Sequence, residues 1–232
     1  VAVGASVNFF GNASLEKNAL PIKDISDAVN VRNHILRMFE LADHERDVRK
    51  RQALLTFVAV GGGPTGVESA GALSELIRLV LRRDYRSLNV DNVRVILMES
   101  APMILSGFPE SLQAAARKSL EKKRVDVRVE TKVLDYDGEK LCLDNGEIIP
   151  TRTVLWSAGV CAASLTAKLG LDLGRGGRAC VLPTLQTPSH SNVFVIGDAA
   201  YLEEKGTPLP MVAQVAMQQA SVVAYNILAD LG

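Results

Sequence analysis

Glycines at 61, 63 and 66 lie between an apolar run, Phe57-Val58-Ala59-Val60, and a stretch with helical apolar spacing over 67–81. In a G-x-G-x-x-G run each glycine has its own task. Gly61 allows the tight turn, Gly63 lets backbone approach a pyrophosphate, and Gly66 lets helix and strand pack closely. Gly62, Pro64 and Thr65 complete the loop. The unpaired N–H groups at the helix start, with the helix dipole behind them, would hold the diphosphate. An ordinary tight turn is the alternative, but a strand before and a helix after are the context that gives this motif its meaning. A second strand, 93–98, ends in Glu99. An acid there accepts hydrogen bonds from the adenosine ribose hydroxyls and repels a 2′-phosphate. Glu99 lies farther beyond Gly66 than the usual interval of about 20 residues; a longer helix and the 82–92 connection take up the surplus. Ser100 and Ala101 follow with no arginine close by, so NADH is favoured over NADPH. A solvated strand-end acid is the competing reading.

Three further groups have chemical possibilities. An apolar strand over 192–196 delivers Gly197-Asp198 to its carboxyl end, where open α/β sheets bind ligands and a carboxylate can accept hydrogen bonds from polyol hydroxyls. Ala158 and Gly159 close a buried strand over 153–160; small residues there suit backbone close to a flat ring, or a tight turn. A helix from Met211 to about 228, preceded by Pro208-Leu209-Pro210, contains Ala213-Gln214-Val215-Ala216-Met217-Gln218. Gln214 and Gln218 share one face of it, which by itself reads as a polar surface stripe.

Other elements must position these groups. Residues 1–4 read as a strand running into a small-residue turn, and 8–11 (NFFG) as a loop whose phenylalanines belong in a core or against a neighbouring domain. Residues 24–42 have helical rhythm, followed by a charged, solvated helix end carrying His44; His34 and His44 read as structural or surface residues. A helix spans 109–123, with Pro at its start and lysines in its last turn. A strand covers 125–133, and a meander turns at Asp137-Gly138 and Asn145-Gly146, strong hairpin signals. Gly174-Arg175-Gly176-Gly177-Arg178 reads as a turn before a strand over 179–182 rather than as an RNA-binding run.

The 232 residues are 47% hydrophobic, with 26 basic and 26 acidic side chains. That is a globular composition without an electrostatic case for nucleic acid. No apolar run reaches the eighteen or so residues of a membrane span, and no signal peptide is visible. Cys142, Cys161 and Cys180 have no C-x-x-C spacing and fit a reducing compartment. No metal-ligand spacing is present, so no metal site is expected. The chain opens inside an apparent strand, as a piece of a longer protein would.

Taken together, the stretches NFFG, LPIKDISDA, VGGGPTGVE, LMES, VLWSAGV, VFVIGDAA and AQVAMQQA, in this order, resemble the flavoprotein disulfide-reductase superfamily. Within it they resemble the type II NADH dehydrogenases, non-proton-pumping NADH:quinone oxidoreductases. The resemblance implies an α/β fold: a Rossmann-like NADH-binding domain, parallel sheet plus β-meander, inserted into a split and here incomplete FAD-binding domain. The implied segments are 1–20 (FAD-binding, first part), 21–161 (NADH-binding) and 162–232 (FAD-binding, second part). Gly61, Gly62, Gly63, Pro64, Thr65, Gly66 and Glu99 then map to NADH, with Glu68 an acid near the nicotinamide–flavin stack. Ala158, Gly159, Gly197 and Asp198 map to cofactor contacts, Asp198 to the flavin ribityl chain. Ala213, Gln214 and Val215 open the helix aimed at the flavin pyrimidine end, and Gln214 and Gln218 lie on the quinone side.

The implied reaction is hydride transfer from NADH to FAD, then two electrons to a membrane quinone. The implied setting is a peripheral protein on the cytoplasmic face of a membrane, with a homodimer as a further expected partner. The family's first G-x-G-x-x-G, for FAD, and its C-terminal membrane-attaching segment are missing here, so this stretch alone is expected neither to retain FAD tightly nor to reduce quinone. Two alternatives stay open: another FAD-dependent NAD(P)H reductase of the sulfide:quinone, ferredoxin or disulfide type, and a non-catalytic NADH-sensing module.

Overall fold

The computed structural model describes residues 1–231. The chain forms two compact units, Val1–Asn8 with Val160–Gly232, and Phe9–Gly159 between them. The second is therefore inserted in the first. Residues 12–18 of the inserted unit are bonded to its meander. Ser14 Oγ and Asn18 Nδ2 both donate to the Tyr136 carbonyl, and Asn12 Nδ2 donates to that of Leu134.

After a short strand β1 (Ala5–Val7) of the first unit, the inserted unit begins with helix α1 (Ala13–Asn18), strand β2 (Leu20–Pro21) and helix α2 (Ile25–His44). Asp24 and Asp27 start α2 with reciprocal side-chain-to-backbone bonds, a capping box that satisfies two orphan N–H groups. The charged stretch after α2 is not a frayed end. It turns and forms a separate helix, α3 (Val48–Leu54), because Asp47 caps the new N-terminus through Arg49 and Lys50 N–H. Then come β3 (Thr56–Val60), α4 (Pro64–Glu75), a π-helical continuation (Leu76–Leu81), α5 (Arg82–Asp84), β4 (Arg94–Met98), α6 (Glu110–Lys122) and β5 (Val125–Arg128). A meander of β6 (Val133–Tyr136), β7 (Lys140–Leu143) and β8 (Ile148–Pro150) precedes β9 (Thr153–Trp156).

The main sheet runs β2-β9-β3-β4-β5, every pair parallel, and the meander is a separate antiparallel sheet. β3 is buried at every position, as a strand covered on both faces by helices must be. Phe39 of α2 stacks on Phe57 of β3 at 5.8 Å between centroids, and Ile77, Leu97 and Leu155 extend the same core.

The first unit continues with β10 (Val160–Ala162), antiparallel to β1, then α7 (Ser164–Ala167), β11 (Ala179–Cys180), β12 (Gln186–Thr187), β13 (His190–Phe194), β14 (Ala200–Tyr201), β15 (Glu203–Glu204), β16 (Thr207–Pro208) and α8 (Ala213–Leu231). Its buried residues include a small cluster of Ala179, Val195, Ala199 and Ala200, and Leu185.

Four expectations are corrected. Residues 1–4 are not a strand: Gly4 has φ +70, and Val1 instead bonds across to Phe194 and Ile196. The stretch 125–133 is two strands, because Glu130 turns with φ 51 and Glu130 and Thr131 N–H donate to Ala101 and Glu99 carbonyls. The strand over 153–160 ends at Trp156, where Ser157 N–H bonds Val60 and the chain turns toward β10. The strand over 179–182 stops at Cys180.

Candidate nucleotide-binding site

β3, β4 and β9 end together: Val60 pairs with Met98 on one side and Trp156 on the other. A cavity of about 510 Å³ opens at these carboxyl ends, walled by Val60, Gly61, Met98, Glu99, Trp156 and Ala158. Its size suits a small ligand, and its place is where ligands bind open α/β sheets.

The glycines around it answer different demands. Gly61 has φ +114, and a β-carbon there would run into the Ser157–Ala158 backbone; at Gly66 it would land on the Gly61 carbonyl oxygen. Those two are required by the fold itself. Gly62 is closed in by the Glu99 side chain. Gly63 alone of the four has no atom within 4 Å of such a carbon and has φ −72. Nothing in the fold demands glycine at Gly63; a ligand pressed against the backbone there would. Gly63 is also the N-cap of α4, with Pro64 next and no side chain capping the helix. The first-turn N–H groups, including those of Thr65 and Gly66, are therefore left for a ligand or solvent.

Glu99 follows β4 and is half-buried. One carboxylate oxygen accepts from Gly62 N–H at 2.5 Å, and the other from Ala101 N–H at 2.8 Å and Ser100 Oγ at 3.1 Å. Three donors hold a carboxylate that can accept about four. Glu99 thus shapes the glycine loop and retains acceptor capacity toward the cavity. Lys132 lines the same cavity, a cation that reading only the residues after Glu99 misses. Its signal is the meander, which brings the 131–134 stretch beside the end of β4.

The NFFG phenylalanines depart from the core placement. Phe9 stacks on Trp156 at 5.7 Å and Phe10 meets the same ring edge-on at 6.4 Å, yet Phe10 is 66% exposed; both line the cavity. Ala158 also lines it, and Gly159 lies just beyond. Glu68 is exposed on α4, one turn past the loop.

In the other unit, Gly197 takes φ +68 and opens a single 3-10 turn with Asp198 and Ala199. Gly197 N–H donates at 2.6 Å to Oε1 of Gln219 on α8, and Ala216 of the same helix lies against Gly197. Gln219 is buried, and its Nε2 has no hydrogen-bond partner among the described residues. Sequence reading passed over it for its exposed neighbours Gln214 and Gln218; Gln219 falls on the opposite, buried side of α8. Ala213, Gln214 and Val215 form the first turn of that helix.

Arg178 is a second omission. It is buried, donates through Nη1 to the Leu209 carbonyl at 3.0 Å, and lies over the Tyr201 ring at 5.7 Å. Its Nε and Nη2 have no partner among the described residues. Burial pulls its pKa down, against the upward pull of Asp198 and Tyr201. The glycine run before it packs instead of floating: a β-carbon on Gly174 would strike the Tyr201 ring.

This geometry, a parallel sheet with a glycine-rich turn and an acid-bearing strand end, defines a dinucleotide-binding class of fold. Residues 1–220 match the family described as pyridine nucleotide-disulphide oxidoreductase, and the chain belongs to that family. It is 38% identical over its full length to a type II NADH:quinone oxidoreductase of Mycobacterium tuberculosis, covering 51% of that protein. It is 35% identical over its full length to an internal alternative NAD(P)H-ubiquinone oxidoreductase of Arabidopsis thaliana mitochondria, covering 46% of it. The chain thus spans about half the length of these relatives. An NDH2 of Plasmodium falciparum, solved in complex with NADH, shares the fold with a TM-score of 0.78 at 22% identity over 86% of this chain and 43% of that one.

Proposed function

We propose that this chain carries the NADH-binding part, and a portion of the FAD-binding part, of a flavin-dependent NADH:quinone oxidoreductase. The observation that carries the reading is Gly63: a glycine the fold does not require, at an uncapped helix N-terminus, beside a cavity bordered by Glu99. The names of the relatives, NADH:quinone and NAD(P)H-ubiquinone oxidoreductases, supply the substrates.

In this reading the 61–66 loop and the α4 N-terminus bind the NADH diphosphate, and Glu99 accepts from the adenosine ribose. Ala158 and Gly159 give the backbone room beside a flat ring, and Glu68 is the acid on the nicotinamide side. The unit around Gly197 and Asp198 takes part of FAD, with Asp198 on the ribityl hydroxyls and Ala213, Gln214 and Val215 offering helix N–H groups to the pyrimidine edge. The orphaned donors of Gln219 and Arg178 suit a ligand rich in acceptors. Gln214 and Gln218 are the quinone-side residues. Bound FAD supplies the redox chemistry, taking a hydride from NADH and passing two electrons on; the chain positions the partners. The whole protein is peripheral on the cytoplasmic face of a membrane and works with a second copy of itself.

The test is calorimetric titration of the chain with NADH and NADPH, with an absorbance scan for flavin. NADH is expected to bind at least about tenfold more tightly than NADPH, a difference of about 1.4 kcal/mol, with little flavin retained. Glu99→Gln should narrow the gap, since it removes the charge that repels a 2′-phosphate. Equal affinities would remove Glu99 as the selector, and no binding of either nucleotide would sink the reading.

A further inference from the structure

At the amino ends of β3 and β9, opposite the nucleotide cavity, the inserted unit has a second cavity of about 440 Å³. Four chain segments meet there: α2, α3, the Gly138 hairpin turn and Arg152. Its polar wall is cationic, with Arg37, Lys50, Arg152 and the imidazole of His34; Met38, Leu41 and Leu54 supply an apolar wall. Leu41 is 45% exposed although it lines a cavity.

Three carboxylates lie about this group. Asp47, whose charge acts on Lys50, already accepts from Arg49 and Lys50 N–H. Glu139 is paired with Arg152 at 2.8 Å, and Glu45 lies on the wall but already accepts from Asp47 N–H at 2.8 Å. The side chains of Arg37 and Lys50 have neither ion pair nor hydrogen bond among the described residues; Lys50 bonds only through its backbone N–H, to Asp47. His34 is held through Nε2, 3.0 Å from both the Arg152 carbonyl oxygen and Thr153 Oγ1. A carbonyl can only accept, so Nε2 carries the proton in the neutral ring and Nδ1 is the nitrogen that titrates. Burial is the main cause of the lowered His34 pKa; Arg37 adds to it, and the Arg152 carbonyl opposes it. An anion brought into the cavity would reverse that balance.

We propose that this cavity is a binding site for a small organic anion, its phosphate or carboxylate head held by Arg37, Lys50 and protonated His34 and its apolar body against Met38, Leu41 and Leu54. Free cations around an apolar wall in a cavity of ligand size fit such a molecule better than a bare ion, which has nothing to place on the leucines. The site is independent of the nucleotide reading and shares no wall with the first cavity.

The test follows the His34 imidazole by proton NMR, assigned among the three histidines with His34→Gln, while phenyl phosphate is added to the chain. A saturable upward shift of the His34 pKa by about half a unit or more is expected, larger than inorganic phosphate gives at the same concentration. Arg37→Gln combined with Lys50→Gln should weaken phenyl phosphate binding at least about tenfold, with an unchanged melting temperature showing that the fold is intact. A His34 pKa that moves no further than in sodium chloride of equal ionic strength, or that moves equally in the double variant, overturns the proposal. Equal responses to phenyl phosphate and inorganic phosphate would overturn the apolar half of it.

Discussion

A β-carbon at Gly66 would land on the Gly61 carbonyl oxygen, whereas at Gly63 it would meet nothing within 4 Å. The same substitution should therefore have opposite readouts at the two positions. Gly66→Ala is expected to destabilise the chain by about 2–3 kcal/mol, since backbone must move to make room. Gly63→Ala should cost no more than about 1 kcal/mol, the loss of a glycine N-cap, and lower NADH affinity at least about tenfold. Thermal melting and calorimetry on both variants check this; a Gly63→Ala protein that binds NADH normally would remove the diphosphate from that loop. Sequence alone shows the three glycines and Glu99 but cannot separate fold-required from ligand-required glycine, because that depends on what lies opposite each. It also cannot show that Glu99 bonds Gly62, or that Lys132 reaches the same cavity. Those contacts join residues far apart in the chain. Gln219 was hidden differently: in a run of polar glutamines only the helix phase reveals the one whose side chain is buried on Gly197.

Elements with strong periodicity were legible. The β3-turn-α4 unit, β4, α6 and the meander stand where apolar spacing and the Asp-Gly and Asn-Gly turns put them. What escaped was set by single residues in unusual backbone states or by tertiary bonds, as with Glu130 between β5 and β6, or α1, whose short length gives no periodic signal. Arg124, between α6 and β5, holds φ 59, a left-handed state that costs a non-glycine residue roughly 1 kcal/mol. Its ion pair with Asp91 at 2.5 Å is exposed on both sides and contributes little. Arg124→Gly should accordingly raise stability by about 0.5–1 kcal/mol in denaturant melts; a loss of that size would mean that the ion pair outweighs the backbone term. In the meander, burial pushes the Tyr136 phenol up to about 12 from 10.0. The folded state holds that proton more tightly than the unfolded chain. Its stabilisation is complete below pH 10 and is lost as pH rises from there toward 12. The loss is on the order of 3 kcal/mol, and Tyr136→Phe should flatten the alkaline limb of a stability–pH curve. An unchanged limb would assign the alkaline loss to other groups.

At the scale of the whole chain, the two units have cores of different depth. The inserted unit packs Phe39, Phe57, Ile77, Leu97 and Leu155 with many other buried apolar side chains around a five-stranded parallel sheet. The unit built from the two chain ends has a buried cluster in which three of the four members are alanines, and among its described residues Leu185 is its large fully buried side chain. An alanine methyl brings little transfer energy, about 0.8 kcal/mol per buried carbon. The strands of that unit are also brief: β11 and β14 have two residues each, and β13 pairs with the two-residue β12. A few short ladders over so few buried carbons open more easily than long ladders over a deep core. Native-state hydrogen exchange should therefore find β3, β4 and β9 amides protected to the level of global unfolding. Those of β11 and β13 should exchange through a lower-energy opening, at least about 10-fold faster, equivalent to about 1.4 kcal/mol. A ligand that supplies acceptors to the buried Gln219 and Arg178 donors would raise protection in that unit selectively, because it binds only the closed form. Adding FAD during the exchange reads this directly. Slower exchange at β11 and β13, with β3 unmoved, is the outcome a flavin site predicts; protection that rises nowhere would leave those donors without the ligand proposed for them.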